Sequence, residues 1–275
     1  MMKKFLILSF LLILISVNSQ VHRFYYELTY KPNKDSIKTE KEMMVLDVSK
    51  DESLFVSYKQ LEYDSVLTAN IKKAREFGTV MDKEMMTKKP PIVSYRISKF
   101  KDGNLGFKDF IGMSEYYTYQ ENPELKWNIT NEKEKIEIYN TQKATTDFGG
   151  RIWTAWFTSE IPIQDGPYKF SGLPGLIIKL DDSQNDYSWI LVANKKLNQD
   201  LNLNKLNYME SQIGETKKIP KSTFEKKSAE YRKNPMGQML RSFDDKDVEL
   251  MKKLKEEETR LKKQISFYNN PIEVN

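Results

Sequence analysis

Between Phe24 and Ala193 the apolar residues return mostly at every second position, which is the side-chain period of a strand rather than of a helix. That regularity makes the chain β-dominated. In "FYYELTY" it places Phe24, Tyr26, Leu28 and Tyr30 on one face. A turn-like "KPNKDS" follows, and "MMVLDV" and "SLFVSY" read as two strands of a hairpin joined by the polar "SKDE". Within Leu61 to Phe77, "VLTANIKKAREF" is able to form a short helix; "IVSYRI" then restarts the strands, and "KDGN" supplies a turn through Gly103 before "LGFKDFIG" and "SEYYTYQ".

The sharpest local signal is "TQKATTDFGGRIWTAWFT", Thr141 to Thr158. Gly149 and Gly150 take positive φ without a Cβ penalty, as a two-residue hairpin turn demands. In the second strand Ile152, Thr154 and Trp156 share one face, and Trp153, Ala155 and Phe157 the other. Bulk on both sides implies that neither face sees much water. The "DFG" at Asp147 to Gly149 carries no kinase meaning, because no glycine-rich loop or catalytic loop accompanies it.

Two further glycines bracket a Leu-Pro in "YKFSGLPGLII", Tyr168 to Ile178. A phosphate loop needs a helix after its glycines. Here "IIKLDD" is strand-like, so that function is excluded. Pro174 and Gly175 suit the central positions of a type II turn, and Gly172 suits a close approach by another backbone or a ligand. Leu176 to Leu180 and Tyr187 to Ala193 then form two apolar strands around "DDSQND". Pro162 and Pro167, lacking the donor a ladder needs, belong to corners or edges.

With "RIWTAWFTSEIPIQDGPYKF" before it, "FSGLPGLIIKLDD" resembles the signature of the GLPGLI family, exported proteins of Gram-negative bacteria named after Gly172 to Ile177. The likeness continues upstream through "WNITNEKEKIEIYNTQKATTDFGG" and more loosely over most of the chain. It implies export and a shared fold and brings no catalytic residue with it. Many relatives carry Cys before the "KA" segment, where this chain has Asn140-Thr141-Gln142.

The opening "MMKKFLILSFLLILISVNSQ" has two lysines, an apolar run too short to span a bilayer, and small residues after it. Residues 1–19 are therefore expected to be a signal peptide, delivering the chain to the periplasm or outside the cell with no transmembrane segment after cleavage. With 0 Cys in the sequence, neither lipidation at a cysteine nor disulfides are available, so the core alone holds the fold. The formal net charge is +5, its surplus lies after Lys195, and nothing in it points to nucleic acid. Seven basic and two acidic residues crowd Lys217 to Lys233, which reads as a solvated helix face. A longer helix follows, with Ser242 and Asp245 as a capping box and Val248, Met251, Leu254, Leu261 and Ile265 as the stripe that docks it.

Catalytic chemistry has little to draw on. One His, His22 near the mature N-terminus, reads as a frayed-end residue, which excludes a histidine-based triad and most zinc sites; no metal and no cofactor is expected. Glu160, Asp165, Asp181 and Asp182 flank the signature and keep open a hydrolase using paired carboxylates. The aromatic excess, 15 Tyr, 14 Phe and 4 Trp, suits a sheet that encloses an apolar ligand, or a ring-filled core. The expected fold is α+β, mainly β: a curved antiparallel sheet or partly open barrel over 20–194, with a basic connecting segment and C-terminal helices over 195–275 packed on it. In shape it resembles half-barrel carriers of apolar molecules. The expected function is non-catalytic, an exported binding or accessory protein of the cell envelope that holds an apolar small molecule, a lipid or another envelope protein. The expected site comprises Gly172, Pro174 and Gly175, with Trp153, Trp156 and Trp189 lining it.

Overall fold

The protein, described by a computed structural model over residues 20–79, 91–112, 115–198, 216–242 and 248–274, is organised around one 12-stranded sheet. Its strands are β1 (Val21–Tyr30), β2 (Glu40–Val48), β3 (Glu52–Ser57), β4 (Arg96–Phe100), β5 (Leu105–Ile111), β6 (Glu115–Glu121), β7 (Asn128–Ile136), β8 (Tyr139–Phe148), β9 (Arg151–Thr158), β10 (Leu176–Asp182), β11 (Tyr187–Leu197) and β12 (Lys217–Lys218). Their order is β12-β6-β5-β4-β3-β2-β1-β11-β10-β9-β8-β7. Only β12 with β6 is parallel; the other pairings are antiparallel. Two meanders, β1 to β6 and β7 to β11, thus meet where β1 pairs with β11, from Val21 opposite Leu197 to Tyr30 opposite Tyr187.

The sheet curls without closing. Laid flat, β6 and β8 would stand nine strand spacings apart in this order, roughly 43 Å at about 4.8 Å each. Yet the Lys169 ammonium lies 5.4 Å from the ring centre of Tyr119 on β6 and 6.0 Å from that of Phe148 on β8. The expected partly open barrel is what this describes, with β12 and β7 as its two edges.

The inner face carries the core. Phe24, Tyr26, Leu28 and Tyr30 are all buried as the alternation predicts, joined by Met44, Leu46, Phe55, Ile97, Trp153 and Trp189. Gly149 (φ 58°) and Gly150 (φ 75°) make the expected two-residue turn between β8 and β9. The outer face of β9 departs from expectation. Ile152 is 54% exposed and Trp156 half-buried, because the helix covering the convex side lies elsewhere. That helix, α1 (Tyr58–Phe77), begins earlier than the sequence suggests: Ser57 caps it by accepting from the Gln60 amide, and Gly78 ends it in the left-handed region. It covers β2 and β3, where Val45, Leu54 and Val56 form a second small core with Leu61.

His22 is a strand residue rather than a frayed end, stacked on Phe24 at 4.1 Å and hydrogen-bonded to Asn194. The chain boundary expected after Asn194 falls inside β11. Helices α2 (Lys221–Lys233), α3 (Gly237–Ser242) and α4 (Val248–Phe267) follow. α2 packs on β5 and β6 through Phe224, whose ring meets Phe107 and Tyr119. α4 rests on α2, and its stripe is only partly covered: Val248 is 76% exposed and no α4 residue is buried. The expected signal peptide and the Asp245 end of the capping box lie outside the described residues. Among those described, no helix is long and apolar enough to cross a membrane.

Candidate functional site

The connector 159–175 between β9 and β10 is the part of the chain that sequence reasoning singled out. It doubles back on itself, with Asp165 bridged to Ser171 and the Gly172 amide donating to the Gln164 carbonyl. Folded this way, it lies inside the curl of the sheet. Phe170 meets Trp153 at 4.9 Å and Phe148 at 5.2 Å; Tyr168 meets Tyr95 at 5.5 Å and Trp189 at 6.4 Å. Trp127 donates its indole N–H to the Ser171 carbonyl, and Tyr26 its hydroxyl to the Ile177 carbonyl.

Two buried ion pairs of opposite sense fix its position. From the sheet, Lys99 on β4 donates to Asp165, to the Gly166 carbonyl at 2.6 Å and to the Phe170 carbonyl at 3.3 Å. Ser53 on β3, opposite Lys99 in the ladder, donates to the other Asp165 oxygen. Burial pulls the Lys99 pKa down and outweighs the opposing pull of Asp165. From the connector, Lys169 inserts its fully buried ammonium among Phe107, Tyr119, Phe148 and Tyr168, with Glu121 and Glu273 as counterions. Lys221 at the start of α2 bonds the same two carboxylates at 2.8 and 2.9 Å. Burial works to raise the Glu273 pKa, but Lys169, Lys221 and the Tyr168 hydroxyl overcome it, and the net shift is downward. Nothing in the one-dimensional pattern announces this cluster, since its residues lie far apart in sequence; the only local sign is a lysine inside an apolar run, "YKF".

The turn at Pro174 is not type II. The Gly175 amide donates to the Leu173 carbonyl at 2.7 Å, while the Leu176 amide turns away to Ile161. Gly175 has φ 152°, and a Cβ there would lie 2.0 Å from the Thr158 carbonyl oxygen. So it is Gly175 that permits a close backbone approach. Gly172 is exposed with φ 88° and open space about it; its conformation, not a neighbour, requires glycine. The tryptophans do not converge on one surface: Trp153 and Trp189 pack together at 5.7 Å in the core, and Trp156 lies on the convex side near Lys143.

Pro174 is exposed and lines an open cleft of about 560 Å³ beside the β7 edge, with Lys133, Lys135, Asn140, Gln142 and Phe157 among its other walls. This is a volume that accommodates a small molecule or a few residues of peptide. The four flanking carboxylates are dispersed. Asp165 is held by Lys99, Asp182 by Arg151, Asp181 by Lys179 and Ser188 on the sheet, and Glu160 accepts from Asn140 at the cleft's margin. Each has its own partner, and no cluster of three potential metal ligands occurs among the described residues.

A family model described as "Protein of unknown function (Porph_ging)" matches residues 150–179, the stretch from the β8–β9 turn through the connector into β10. No curated protein matches the chain. Among solved structures, PNGF-II in space group C2 is similar with a TM-score of 0.54 at 15% identity, over 78% of this chain and 33% of that one. The same protein in space group P21 gives 0.53 at 16%, over 78% and 34%. The likeness is one of fold, and this chain spans about a third of the length of those it matches.

Proposed function

We propose that the chain is an exported, non-catalytic binding or accessory protein of the cell envelope, belonging with the GLPGLI proteins, and that its partner is another envelope polypeptide met at the cleft beside Pro174. The observation that carries this reading is the connector. It occupies the concave face on which an apolar ligand would otherwise sit, whereas the cleft at the β7 edge is open and walled by polar side chains and one phenylalanine. A strand edge that the described residues leave uncovered, with a groove beside it, suits an extended peptide, which supplies its own backbone hydrogen bonds. Export rests on the N-terminal run, and family placement on Gly172 to Ile177 inside the matched stretch. The dispersed carboxylates argue against the hydrolase reading.

The test is native mass spectrometry of the mature protein, purified gently from its own envelope fraction, together with a photo-crosslinking residue at position 133 and a control at Lys73 on α1. Polypeptide adducts from position 133 alone support the proposal. A stoichiometric lipid in the organic extract, with no polypeptide adduct, overturns it in favour of a carrier.

A further inference from the structure

We propose that the segment 268–274 is a releasable clamp across the seam of the curled sheet, and that freeing it from the connector uncovers the aromatic concave face. The inference stands apart from the cleft and does not rest on it. The segment belongs to no strand. Its first half is fixed by Arg151, which donates to Asn270 Oδ1 at 2.6 Å, the Pro271 carbonyl at 3.0 Å and the Ile272 carbonyl at 3.1 Å while paired with Asp182 and Asp186. The Tyr187 hydroxyl adds a bond to the Asn270 carbonyl. Its second half is tied to the connector and to α2 through one side chain, Glu273, while the Val274 backbone rests on the β8–β9 turn. Glu273 accepts from Tyr168 and Lys169 of the connector and from Lys221 of α2.

The β8–β9 turn is shaped to let the segment lie on it. The Val274 amide donates to the Gly149 carbonyl at 2.6 Å, and a Cβ on Gly150 would come within 2.2 Å of the Val274 carbonyl oxygen. Glu273 is therefore where the β8–β9 side of the seam is tied to α2 and, through Lys169 and Glu121, to β6. An attachment made of charge-assisted hydrogen bonds is strong while complete and is lost abruptly when one partner is neutralised. With Glu273 gone, Lys169 and Lys221 are left sharing Glu121 as their one carboxylate partner among the described residues, Lys169 keeping the Tyr119 hydroxyl as well.

The closed arrangement also carries a cost. Beneath and beside the connector, the Trp189 indole N–H and the Tyr95 hydroxyl are buried with no hydrogen-bond partner among the described residues, a penalty that lifting the connector would relieve by admitting water or a ligand.

The experiment compares full-length mature wild type with Glu273→Gln, nearly isosteric and uncharged, and Glu273→Asp, which keeps the charge. Hydrogen exchange is followed on peptides covering 160–175, with β1 and β11 as internal references, and N-phenyl-1-naphthylamine fluorescence reports the apolar face. Expected for E273Q are a tenfold or greater acceleration confined to 160–175 and saturable dye binding, with E273D close to wild type on both readouts. Unchanged exchange in 160–175, equal acceleration in β1 and β11, or absence of dye binding by E273Q would each overturn the clamp.

Discussion

Gly175 shows how one missing Cβ fixes the course of the connector. Its φ of 152° and the Thr158 carbonyl 2.0 Å from where a Cβ would be leave no room for a side chain. Gly175→Val should therefore cost at least about 3 kcal/mol, enough to threaten folding outright, and urea denaturation of the variant against wild type measures it. Two carboxyl groups bind protons in opposite senses. Asp109, bonded to Ser94 and the Phe110 amide, is pushed up by burial from an ordinary 3.8 to about 6. It favours the fold while protonated, a contribution lost as the pH rises from about 4 through about 6. Glu273 is lowered from 4.5, so its contribution is in place above that value and lost as the pH falls through its folded value. Urea midpoints across pH 3 to 7 should show the difference between wild type and Asp109→Asn changing between about pH 4 and 6 and flat above, and that for Glu273→Gln flat above about pH 5 and shrinking below.

At the scale of elements, β9 sends two tryptophans to opposite faces, Trp153 two positions before Ala155 and Trp156 one after it. Trp153 is fully buried against Phe170 and Trp189, and Trp156 half-exposed on the convex face. Trp153→Ala should cost about 3–5 kcal/mol, whereas Trp156→Ala should stay below about 1 kcal/mol; chemical denaturation of the two variants checks the contrast. The tie between connector and β4 gives a second test. Lys99→Met leaves Asp165 buried without its counterion and should cost about 3–5 kcal/mol, most of it recovered when Asp165→Leu is added. Strand alternation and the glycine-pair hairpin were legible in the sequence because both are local: the period of two and a demand for positive φ act within a few residues. The exposed face of β9 was not legible, since it depends on where α1 settles, over β2 and β3. The fate of the four carboxylates was equally hidden. Whether Asp165 serves a cleft or a buried ion pair is decided by Lys99, 66 positions away in sequence.

For the whole molecule, the curl is a long-range property, and only its general shape could be anticipated from a chain of strands without a closing partner. The sheet brings β6 and β8 together around Lys169 although they lie near its opposite edges. The candidate cleft was half-legible on the same grounds: Pro174 is marked by its neighbours in sequence, while Lys133 and Gln142 reach it through the pairing of β7 with β8. The union of the two meanders has a further consequence, in time. Each meander is built from neighbouring strands and can assemble early, but β1 finds β11 only when residues 21–30 meet residues 187–197. Closing so long a loop is slow. Throughout synthesis of the intervening chain, one side of β1 waits as an unpaired edge bearing Phe24, Tyr26 and Leu28. Refolding followed by stopped-flow fluorescence should show tryptophan burial in a slow phase, because Trp189 on β11 reaches its final surroundings only with that pairing. Until then the chain is at its most prone to aggregate, and a holding chaperone that covers aromatic strand edges should raise the yield of folded protein.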